Sequence, residues 1–179
     1  MTPYNYAISL LPVIRSRIDG TIAGEPSFYG MLGEIVSIDG GHVEIGSFYG
    51  VSAIVACMVK REYGKAGEVI CIDPFVYSKV RTPMPSAVLL RKNLGAFGCD
   101  AHVIEKSSKE VDPIRCTTAL IDGNHTKGYP YNDFLKTKSA TWHVWHDYCD
   151  DFPAVAEAVE KSGRKIVALE GKTCVTIKP

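Results

Sequence analysis

The sequence is poor in the features that mark membrane-spanning, nucleic-acid-binding and secreted proteins. Its 179 residues include 20 basic and 20 acidic side chains, so no basic footprint for nucleic acid or anionic lipid is present. The longest apolar stretch, residues 51–59, is too short to span a bilayer. Residues 1–11 have no basic segment ahead of their apolar run, which disfavours a secretory signal. We therefore expect no nucleic-acid partner, no membrane association and a cytoplasmic location.

Cysteine pairs at metal-ligand spacing are also missing. The six cysteines are scattered, none belongs to a C-x-x-C pair, and several stand inside apolar runs. A structural zinc site requires closely spaced ligand pairs, so none is expected. A thiol within an apolar run behaves as a small hydrophobe. We predict reduced thiols, as in a cytoplasmic protein. A nucleophile formed by Cys149 and His146 is disfavoured because the sequence indicates no third group to orient the pair.

The chain does contain a regular alternation of strand and helix patterns. Apolar residues make up 46% and charged residues 22%, which suits one soluble domain spanning residues 1–179. Residues 1–27 contain three prolines and no clear periodicity, and predict an irregular arm or a short helix that covers the core, residues 28–179. Strands are predicted at 42–45, 69–72, 101–104, 118–121, 141–145, 165–169 and 173–177. Helices are predicted at 28–38, 52–63, 86–97 and 131–138, and from Pro153 to Gly163 with Asp151 as the cap.

This order of elements predicts an α/β fold with a Rossmann-like, doubly wound and mostly parallel sheet. Helices would cover both faces, and the last two strands would form an antiparallel pair. Such sheets bind ligands at the carboxyl ends of their strands. Asp73, Asp122 and Asp147 each follow a predicted strand, so we expect them at one edge, in one site. His143 alternates with its neighbours inside a strand and is predicted to be structural. Trp142 and Trp145 are predicted to lie in the core or in a pocket wall, with the core favoured.

The turn after the first strand selects among nucleoside ligands. A dinucleotide fingerprint that starts at Gly46 would need glycines at positions 48 and 51, where the sequence has Phe48 and Val51. A P-loop needs four residues between its glycines, followed by lysine, and only three separate Gly46 from Gly50. The turn therefore favours a nucleoside ligand without phosphates, with Asp73 to accept hydrogen bonds from its ribose.

Four segments, each at a strand end, together resemble one family. They occur in the order E-I-G-S-F-Y-G at 44–50, I-D-P-F at 72–75, I-D-G-N-H at 121–125 and H-D-Y at 146–148. From about residue 28 onward, the chain resembles the class I S-adenosylmethionine-dependent methyltransferases, and most of all a small family whose members carry these segments in this order. The resemblance implies S-adenosylmethionine as the cofactor.

The resemblance also implies which residues hold that cofactor. Glu44 and Gly46 would line its methionine end, and Asp73 would bind the ribose hydroxyls. Pro74 and Phe75 would flank the adenine. Ser107 stands where the family often places an acid that meets the adenine amino group. The full set of implied cofactor residues is Glu44, Gly46, Ser47, Phe48, Gly50, Ser52, Asp73, Pro74, Phe75, Ser107 and Asp122.

The reacting end departs from the family pattern. Relatives that use a divalent cation hold it with an acid after the fourth strand and two residues after the fifth. Asp122 and Asp147 match two of these positions and imply a Mg²⁺ site, although Tyr148 replaces the third ligand. Metal-dependent sugar methyltransferases place a basic carboxylate where this chain has Asn124, and an amide is not a useful base.

The base would then be a histidine. Imidazole titrates near neutral pH, and His125 and His146 both follow strand ends. The alternative is that His125 orders its loop and His146 bonds the backbone. The implied catalytic residues are His125, His146 and Asp122.

The function expected from the sequence is transfer of a methyl group from S-adenosylmethionine to a small acceptor, most readily an oxygen of a sugar or another metabolite. The N-terminal arm and the strand-end loops would have to build the acceptor pocket. The alternative is a degenerate module that binds the cofactor, or only keeps the fold, without catalysis. A nicotinamide oxidoreductase ranks behind both because its fingerprint is broken. The sequence leaves open whether the chain forms an oligomer.

Overall fold

The structure is a computed structural model that describes residues 1–21, 24–77 and 81–179. In these ranges it contains six α-helices, one short 3-10 helix and seven strands. The helices are α1 (Pro3–Arg17), α2 (Pro26–Val36), α3 (Val51–Glu62), α4 (Ala87–Gly95), α5 (Tyr129–Lys136) and α6 (Pro153–Ser162), with the 3-10 turn at Ser108–Glu110. The strands are β1 (His42–Ile45), β2 (Val69–Ile72), β3 (Ala101–Ile104), β4 (Thr118–Ile121), β5 (Trp142–Trp145), β6 (Lys165–Glu170) and β7 (Thr173–Ile177).

The described strands form a single sheet in the order β3-β2-β1-β4-β5-β7-β6. The first five pair in parallel, and β7 runs antiparallel to both β5 and β6. The order reverses between β1 and β4, which makes their carboxyl ends the switch point where such sheets bind ligands. The predicted Rossmann-like sheet with a C-terminal antiparallel pair is confirmed.

The N-terminal segment is more regular than the sequence analysis predicted. An irregular arm or short helix was expected over residues 1–27, but α1 is a helix of 15 residues. Its buried residues recur at helical spacing and pack in one core with α2 and α3; they are Ala7, Leu10, Leu11 and Ile14. Pro12 lies on the exposed side of the helix. The prolines obscured this periodicity in the sequence. Residues 22 and 23 of the predicted arm lie outside the described residues.

Two predicted details at helix starts were wrong. Asp151 does not cap α6: the N-cap is Phe152, which makes no side-chain cap bond, because Pro153 occupies the first helical turn. Asp151 instead lies 3.7 Å from Lys172 in an exposed ion pair. Helix α5 begins at Tyr129, two residues before the predicted start, with Pro130 in its first turn. In the described ranges, no helix combines the length and the hydropathy needed to cross a membrane.

The core contains two histidines and one tryptophan that the strands point inward. Trp145 is fully buried and its indole Nε1 donates to Thr176 at 3.0 Å. His143 is fully buried against Thr137, with 3.1 Å between Nε2 and the hydroxyl oxygen. His42 lies equally deep, with Nδ1 2.9 Å from the hydroxyl of Thr118. The structural role predicted for His143 and the core position predicted for Trp145 are confirmed. Trp142 is only partly buried.

Acidification is expected to destabilise the fold through these two histidines. Burial lowers the pKa of His42 and of His143 from 6.5 to about 3. The unfolded chain therefore binds more protons than the folded one between those values, so stability is full above pH 6.5 and falls as the pH drops toward 3. Between pH 7.5 and 5.5, each histidine should cost about 1.3 kcal/mol of unfolding free energy. Urea unfolding at both pH values measures this loss.

The matched variants are His42→Gln and His102→Gln. His102 is exposed on β3, so its replacement should leave the pH dependence unchanged. His42→Gln should make the change in unfolding free energy between pH 7.5 and 5.5 about 1.3 kcal/mol more favourable than in the wild type, whatever its effect on stability at pH 7.5, because Glu44 contributes a change of opposite sign to both proteins. An equal pH dependence for the His42 variant and the wild type would contradict the assignment.

Candidate functional site

The sheet register places four polar or flexible positions side by side. Ile45 pairs with Ile72 and with Ile121, and Ile121 pairs with Trp145. The next residue on each strand is therefore at the same edge, at the carboxyl ends of the parallel strands. These residues are Gly46, Asp73, Asp122 and His146. The shared edge that the sequence analysis predicted for the strand-end acids is where the structure places them.

Gly46 lies directly against the backbone that follows the neighbouring strand β4. Its φ is +94°, and a Cβ atom added there would lie 2.0 Å from the carbonyl oxygen of Asp122. Only glycine fits both constraints. The turn continues with Phe48 at φ +50° and closes with the Gly50 N–H donating to Ser47 O at 2.7 Å. Gly50, at φ +86°, then caps α3. The turn thus directs the start of α3 at the strand-end edge.

Glu44 and Ser47 bury polar atoms that lack partners. Glu44 is 0% exposed and Ser47 2%. Among the described residues, neither carboxylate oxygen of Glu44 nor the Ser47 hydroxyl has a well-formed hydrogen bond. Burial raises the pKa of Glu44 to about 7; the nearby hydroxyls of Ser47 and Ser52 partly offset this, and the charge of Asp122 adds to it. Such unmet polar groups suit a ligand that carries positive charge and hydrogen-bond donors.

Asp73 presents a buried carboxylate with three donors. The Phe48 N–H donates to Oδ2 at 2.9 Å and the Phe75 N–H to Oδ1 at 2.7 Å. The hydroxyl of Tyr77 also donates to Oδ2, at 2.7 Å. Phe75 has a φ of +53°. A carboxylate has about four acceptor positions, so the two backbone donors fix its orientation, and the Tyr77 hydroxyl takes a third position.

Two acids and two imidazoles form a cluster at the ends of β4 and β5. Nδ1 of His146 lies 3.0 Å from Oδ1 of Asp122 and 3.6 Å from Oδ2 of Asp147. His125 bridges the same acids at longer range, with Nε2 3.6 Å from Asp122 and Nδ1 3.4 Å from Asp147. Asp147 has a φ of +57°, a strained backbone that is common at functional sites. Among the described residues, the His125 Nε2 atom has no hydrogen-bond partner.

The acids and the imidazoles of this cluster shift each other's pKa values toward the charged forms of Asp122 and His146. Burial raises the pKa of Asp122, but the adjacent imidazoles of His125 and His146 more than offset it, and its net pKa is lowered. Burial lowers the pKa of His146, but the hydrogen bond to Asp122 and the charges of Asp122 and Asp147 outweigh it, and its net pKa is raised. An ionised carboxylate can only accept, so the His146 proton lies on Nδ1 and Nε2 remains an acceptor. This is the geometry of an oriented general base.

The N-terminal part of the chain forms one wall of this cluster. The Phe28 ring centroid lies 4.5 Å from that of His146. A Cβ atom added to Gly24 would lie 3.5 Å from His146 Nε2. Tyr29 is buried beside the strand ends: burial, Asp122 and Glu44 all raise the pKa of its hydroxyl. The sequence pattern placed neither these residues nor Tyr77 in the site. The one available signal for Tyr77 was that it is an aromatic residue four positions after Asp73.

Three of the residues singled out from the sequence have local roles. The Ser107 hydroxyl accepts from the Lys109 N–H at 3.3 Å and caps the 3-10 turn, so the predicted adenine contact stays a prediction. The Asn124 side chain accepts from the Thr126 N–H at 2.9 Å and orders its loop. Tyr148 packs on the apolar cluster around Ile121, as a partly buried residue.

Two further residues predicted to hold the cofactor differ in exposure. Pro74 is exposed, while Ser52 is buried in the first turn of α3.

The cluster does not have the donor set of a magnesium site. Oxygen atoms of Asp122, Asp147 and a nitrogen of His146 come within 4.8 Å of one another. Mg²⁺ prefers six oxygen ligands in an octahedron. Here both imidazoles lie against the carboxylates that would supply those oxygens. The Mg²⁺ site predicted at Asp122 and Asp147 is therefore not supported.

The sheet topology, the glycine turn after β1 and the acid after β2 define a class I S-adenosylmethionine-dependent methyltransferase fold. A family model described as a methyltransferase domain matches residues 43–148, which is more than half of the chain. The chain therefore belongs to this methyltransferase-domain family. The matched range includes all four segments that carried the resemblance in the sequence.

Solved methyltransferase structures share the fold at low sequence identity. A SAM-dependent O-methyltransferase from Thermotoga maritima is 12% identical, covers 96% of this chain and 71% of its own, and has a TM-score of 0.65. A candidate RNA methyltransferase from Pyrococcus horikoshii is 16% identical over 99% and 97% of the two chains, with a TM-score of 0.63. An SAH-bound methyltransferase from Podospora anserina is 11% identical over 97% and 95%, with a TM-score of 0.59. A comparison with curated proteins finds no match.

Proposed function

We propose that this chain, acting as one domain, binds S-adenosylmethionine at the carboxyl ends of β1, β2 and β4 and transfers its methyl group to a small hydroxylated acceptor. The observation that carries the proposal is the pair of unpartnered polar groups, Glu44 and Ser47, buried behind the Gly46 turn. Buried polar groups without partners are rare in folded proteins and point to a missing ligand. Their position at the switch point of the sheet is where a nucleoside would lie.

Glu44 and Ser47 would hold the amino-acid end of the cofactor. The Glu44 carboxylate would pair with the ammonium group, and the Ser47 hydroxyl would bond to the same end of the molecule. Asp73 would accept from the ribose hydroxyls, with Phe48 and Phe75 N–H groups holding it in place. When bound, S-adenosylmethionine supplies an electrophilic methyl group on a sulfonium sulfur. Gly46, which has no Cβ atom, lets the turn lie directly against the backbone of Asp122.

His146 would act as the general base. Asp122 holds Nδ1 at 3.0 Å, so Nε2 is free to accept the proton of an acceptor hydroxyl. Phe28 packs on the imidazole and limits its rotation. Of the two histidines predicted as bases, His146 is the better oriented, because the His125 nitrogens stay 3.4 Å or more from their acids. His125 lies beside both Asp122 and Asp147 and would help to keep the two carboxylates in place.

The balanced charge of the chain favours a small acceptor over a nucleic acid. Twenty basic residues oppose twenty acidic ones, whereas phosphate-backbone binding needs a basic surface. A relative is named as a candidate RNA methyltransferase, so RNA is the acceptor to test against. The second candidate function is a cofactor-binding module without catalysis. It is favoured by Asn124, whose side chain is engaged in its own loop rather than at the cluster.

Calorimetric titration with S-adenosylhomocysteine tests the proposal. We expect one site per chain, and we expect no binding of NADH, because Phe48 stands where a pyrophosphate would need glycine. No detectable binding of S-adenosylhomocysteine to the wild-type chain would overturn the proposal. Methyl-labelled S-adenosylmethionine, incubated with pools of hydroxylated small molecules or with total RNA, separates an enzyme from a binding module and a small acceptor from RNA.

Replacing Glu44 with glutamine is expected to stabilise the free protein and weaken cofactor binding. Burial raises the pKa of Glu44 from 4.5 to about 7, so the folded state binds the extra proton and stability falls as the pH rises through that window. At pH 8 the variant should gain about 3 kcal/mol of unfolding free energy. Its affinity for S-adenosylhomocysteine should fall about tenfold or more, because a charge-assisted bond is lost.

Urea unfolding and calorimetry at pH 5 and pH 8 measure both effects. At pH 5 the gain should fall below about 1 kcal/mol, because Glu44 is then protonated in the folded wild type and only its ionisation in the unfolded chain still favours unfolding. The matched control is Glu157→Gln, at a partly exposed position on α6 where the carboxylate pairs with Lys161. A Glu44 variant that is less stable than the wild type at pH 8 would show that this carboxylate has a structural partner.

A further inference from the structure

Two cysteines that are distant in the sequence meet at the edge of the sheet opposite the strand-end site. Cys99 stands two residues before β3, at the amino ends of the parallel strands, and Cys57 belongs to α3. Both are partly exposed free thiols and line one surface cleft of about 220 Å³. The same cleft is lined by three cations, Lys60, Arg61 and Lys65.

The contact follows from one face of α3. Cys57 and Arg61 are four residues apart, so they lie one above the other on the helix. Arg61 Nη1 donates to the carbonyl oxygen of Phe97 at 3.2 Å, and the Cys99 sulfur lies 3.9 Å from the same oxygen. Leu94 O accepts from the Cys99 N–H at 3.0 Å, which fixes the turn that carries the thiol. Cys57 and Cys99 are thereby brought together in the cleft that both residues line.

The surroundings make one thiol of the pair the better nucleophile. The hydrogen bond from Cys57 lowers the pKa of Cys99; burial opposes it, and the Arg61 charge lowers the pKa further. The same hydrogen bond and burial raise the pKa of Cys57. Three of the other four cysteines differ: Cys71, Cys116 and Cys174 are buried, and burial raises the pKa of each. A thiolate reacts with oxidants and a thiol does not.

We propose that Cys57 and Cys99 form a redox modification site, which hydrogen peroxide converts to an intramolecular disulfide. The Cys99 thiolate attacks one peroxide oxygen, the O–O bond breaks, and the products are a sulfenic acid on Cys99 and, after protonation, one water. Cys57 then attacks the Cys99 sulfur as its proton leaves, the S–S bond forms and the S–O bond breaks, releasing the second water. The two thiols lose two electrons and peroxide gains them, and a dithiol restores both thiols.

Peptide mapping under non-reducing conditions tests the site on the full-length protein. Trypsin places Cys57, Cys99 and the nearby Cys71 in three different peptides, residues 18–60, 93–106 and 66–79, each with one cysteine. After peroxide treatment and alkylation, we expect peptide 18–60 linked to peptide 93–106, and the link to disappear with dithiothreitol. The closed loop of about 40 residues should raise the midpoint of thermal unfolding by about 5–10 °C.

Cysteine variants test the disulfide by peptide mapping alone, so the result does not depend on the proposed methyl transfer. Cys57→Ser should abolish the link and let Cys99 proceed to the sulfinic acid, because no second thiol resolves it. Cys149→Ser, at a partly exposed cysteine elsewhere, should leave the link intact. A link between Cys57 and Cys71 would overturn the proposal. So would peroxide treatment that leaves Cys57 and Cys99 alkylated while Cys149 is oxidised.

Discussion

Replacing Asp73 with asparagine is expected to lower the affinity for S-adenosylhomocysteine by about 100-fold or more. The ribose would make two charge-assisted hydrogen bonds to this carboxylate, each worth about 1.5–3 kcal/mol. Asparagine keeps the shape of the side chain but offers one acceptor oxygen, while its NH₂ group faces a backbone donor, the N–H of Phe48 or of Phe75. Calorimetric titration of the variant against the wild type measures the loss.

The matched control for this prediction is Tyr77→Phe. It removes the hydroxyl that occupies Oδ2 of Asp73 in the structure and leaves the carboxylate in place. If that hydroxyl stands in for the ribose, affinity should stay the same or rise, by up to about tenfold, since one competing hydrogen bond is gone. An equal loss of binding in the Tyr77 and Asp73 variants would mean that Asp73 acts by holding the segment that contains Tyr77.

Replacing His146 with asparagine is expected to lower kcat by about 10²–10⁴-fold, with little change in cofactor affinity. A positioned general base contributes a factor of that size, and Asp122 orients this imidazole at 3.0 Å. The pKa of His146 is raised above its ordinary 6.5 through Asp122 and Asp147, against the effect of burial. Activity should therefore rise with pH and level off above that value, because only neutral imidazole accepts a proton.

The rate is measured as release of S-adenosylhomocysteine with the acceptor found in the labelled screen. Asp122→Asn should shift the acidic limb of the pH profile to lower pH, since it removes the charge that raises the pKa. His125→Asn should cost less than His146→Asn, and His102→Asn, at an exposed position on β3, should cost nothing. EDTA should leave the wild-type rate unchanged, because the cluster offers mixed nitrogen and oxygen donors rather than an oxygen cage. An EDTA-sensitive enzyme, or a fully active His146 variant, would contradict the base assignment.

The strand-end side of the site could be predicted because it depends on local pattern and on one geometric rule. Apolar runs fix where β1, β2, β4 and β5 end, and parallel strands bring those ends to one edge. Gly46 and Asp73 were recognisable for this reason. Two predictions failed where the local pattern was less clear. The prolines of α1 obscured its buried apolar positions, so the full helix was not predicted. Asp151 was predicted as the cap of α6, but it precedes the actual N-cap, Phe152, by one residue.

The partners of these residues could not be predicted from the pattern. Distances between segments 20 or more residues apart decide whether Glu44 keeps a hydrogen bond and whether Asp122 pairs with His146. The path of one loop decides whether Asp122 also meets His125, and the path of another decides whether Tyr77 reaches Asp73. The magnesium ligands carried over from the family were not supported for the same reason: position in the sequence matched, but the imidazoles filled the space between the acids.

The sequence alone determined the class of fold, the family and the kind of ligand, because periodicity, strand-end residues and glycine spacing are properties of short segments. Phe48 and Val51 exclude a dinucleotide fingerprint without any knowledge of the structure. The tertiary structure alone decided which groups are unpaired among the described residues, which imidazole is oriented, and that Cys57 and Cys99, 42 residues apart, line one cleft. Those outcomes depend on how helices and loops pack against the sheet, and packing is settled by contacts that are remote in the chain.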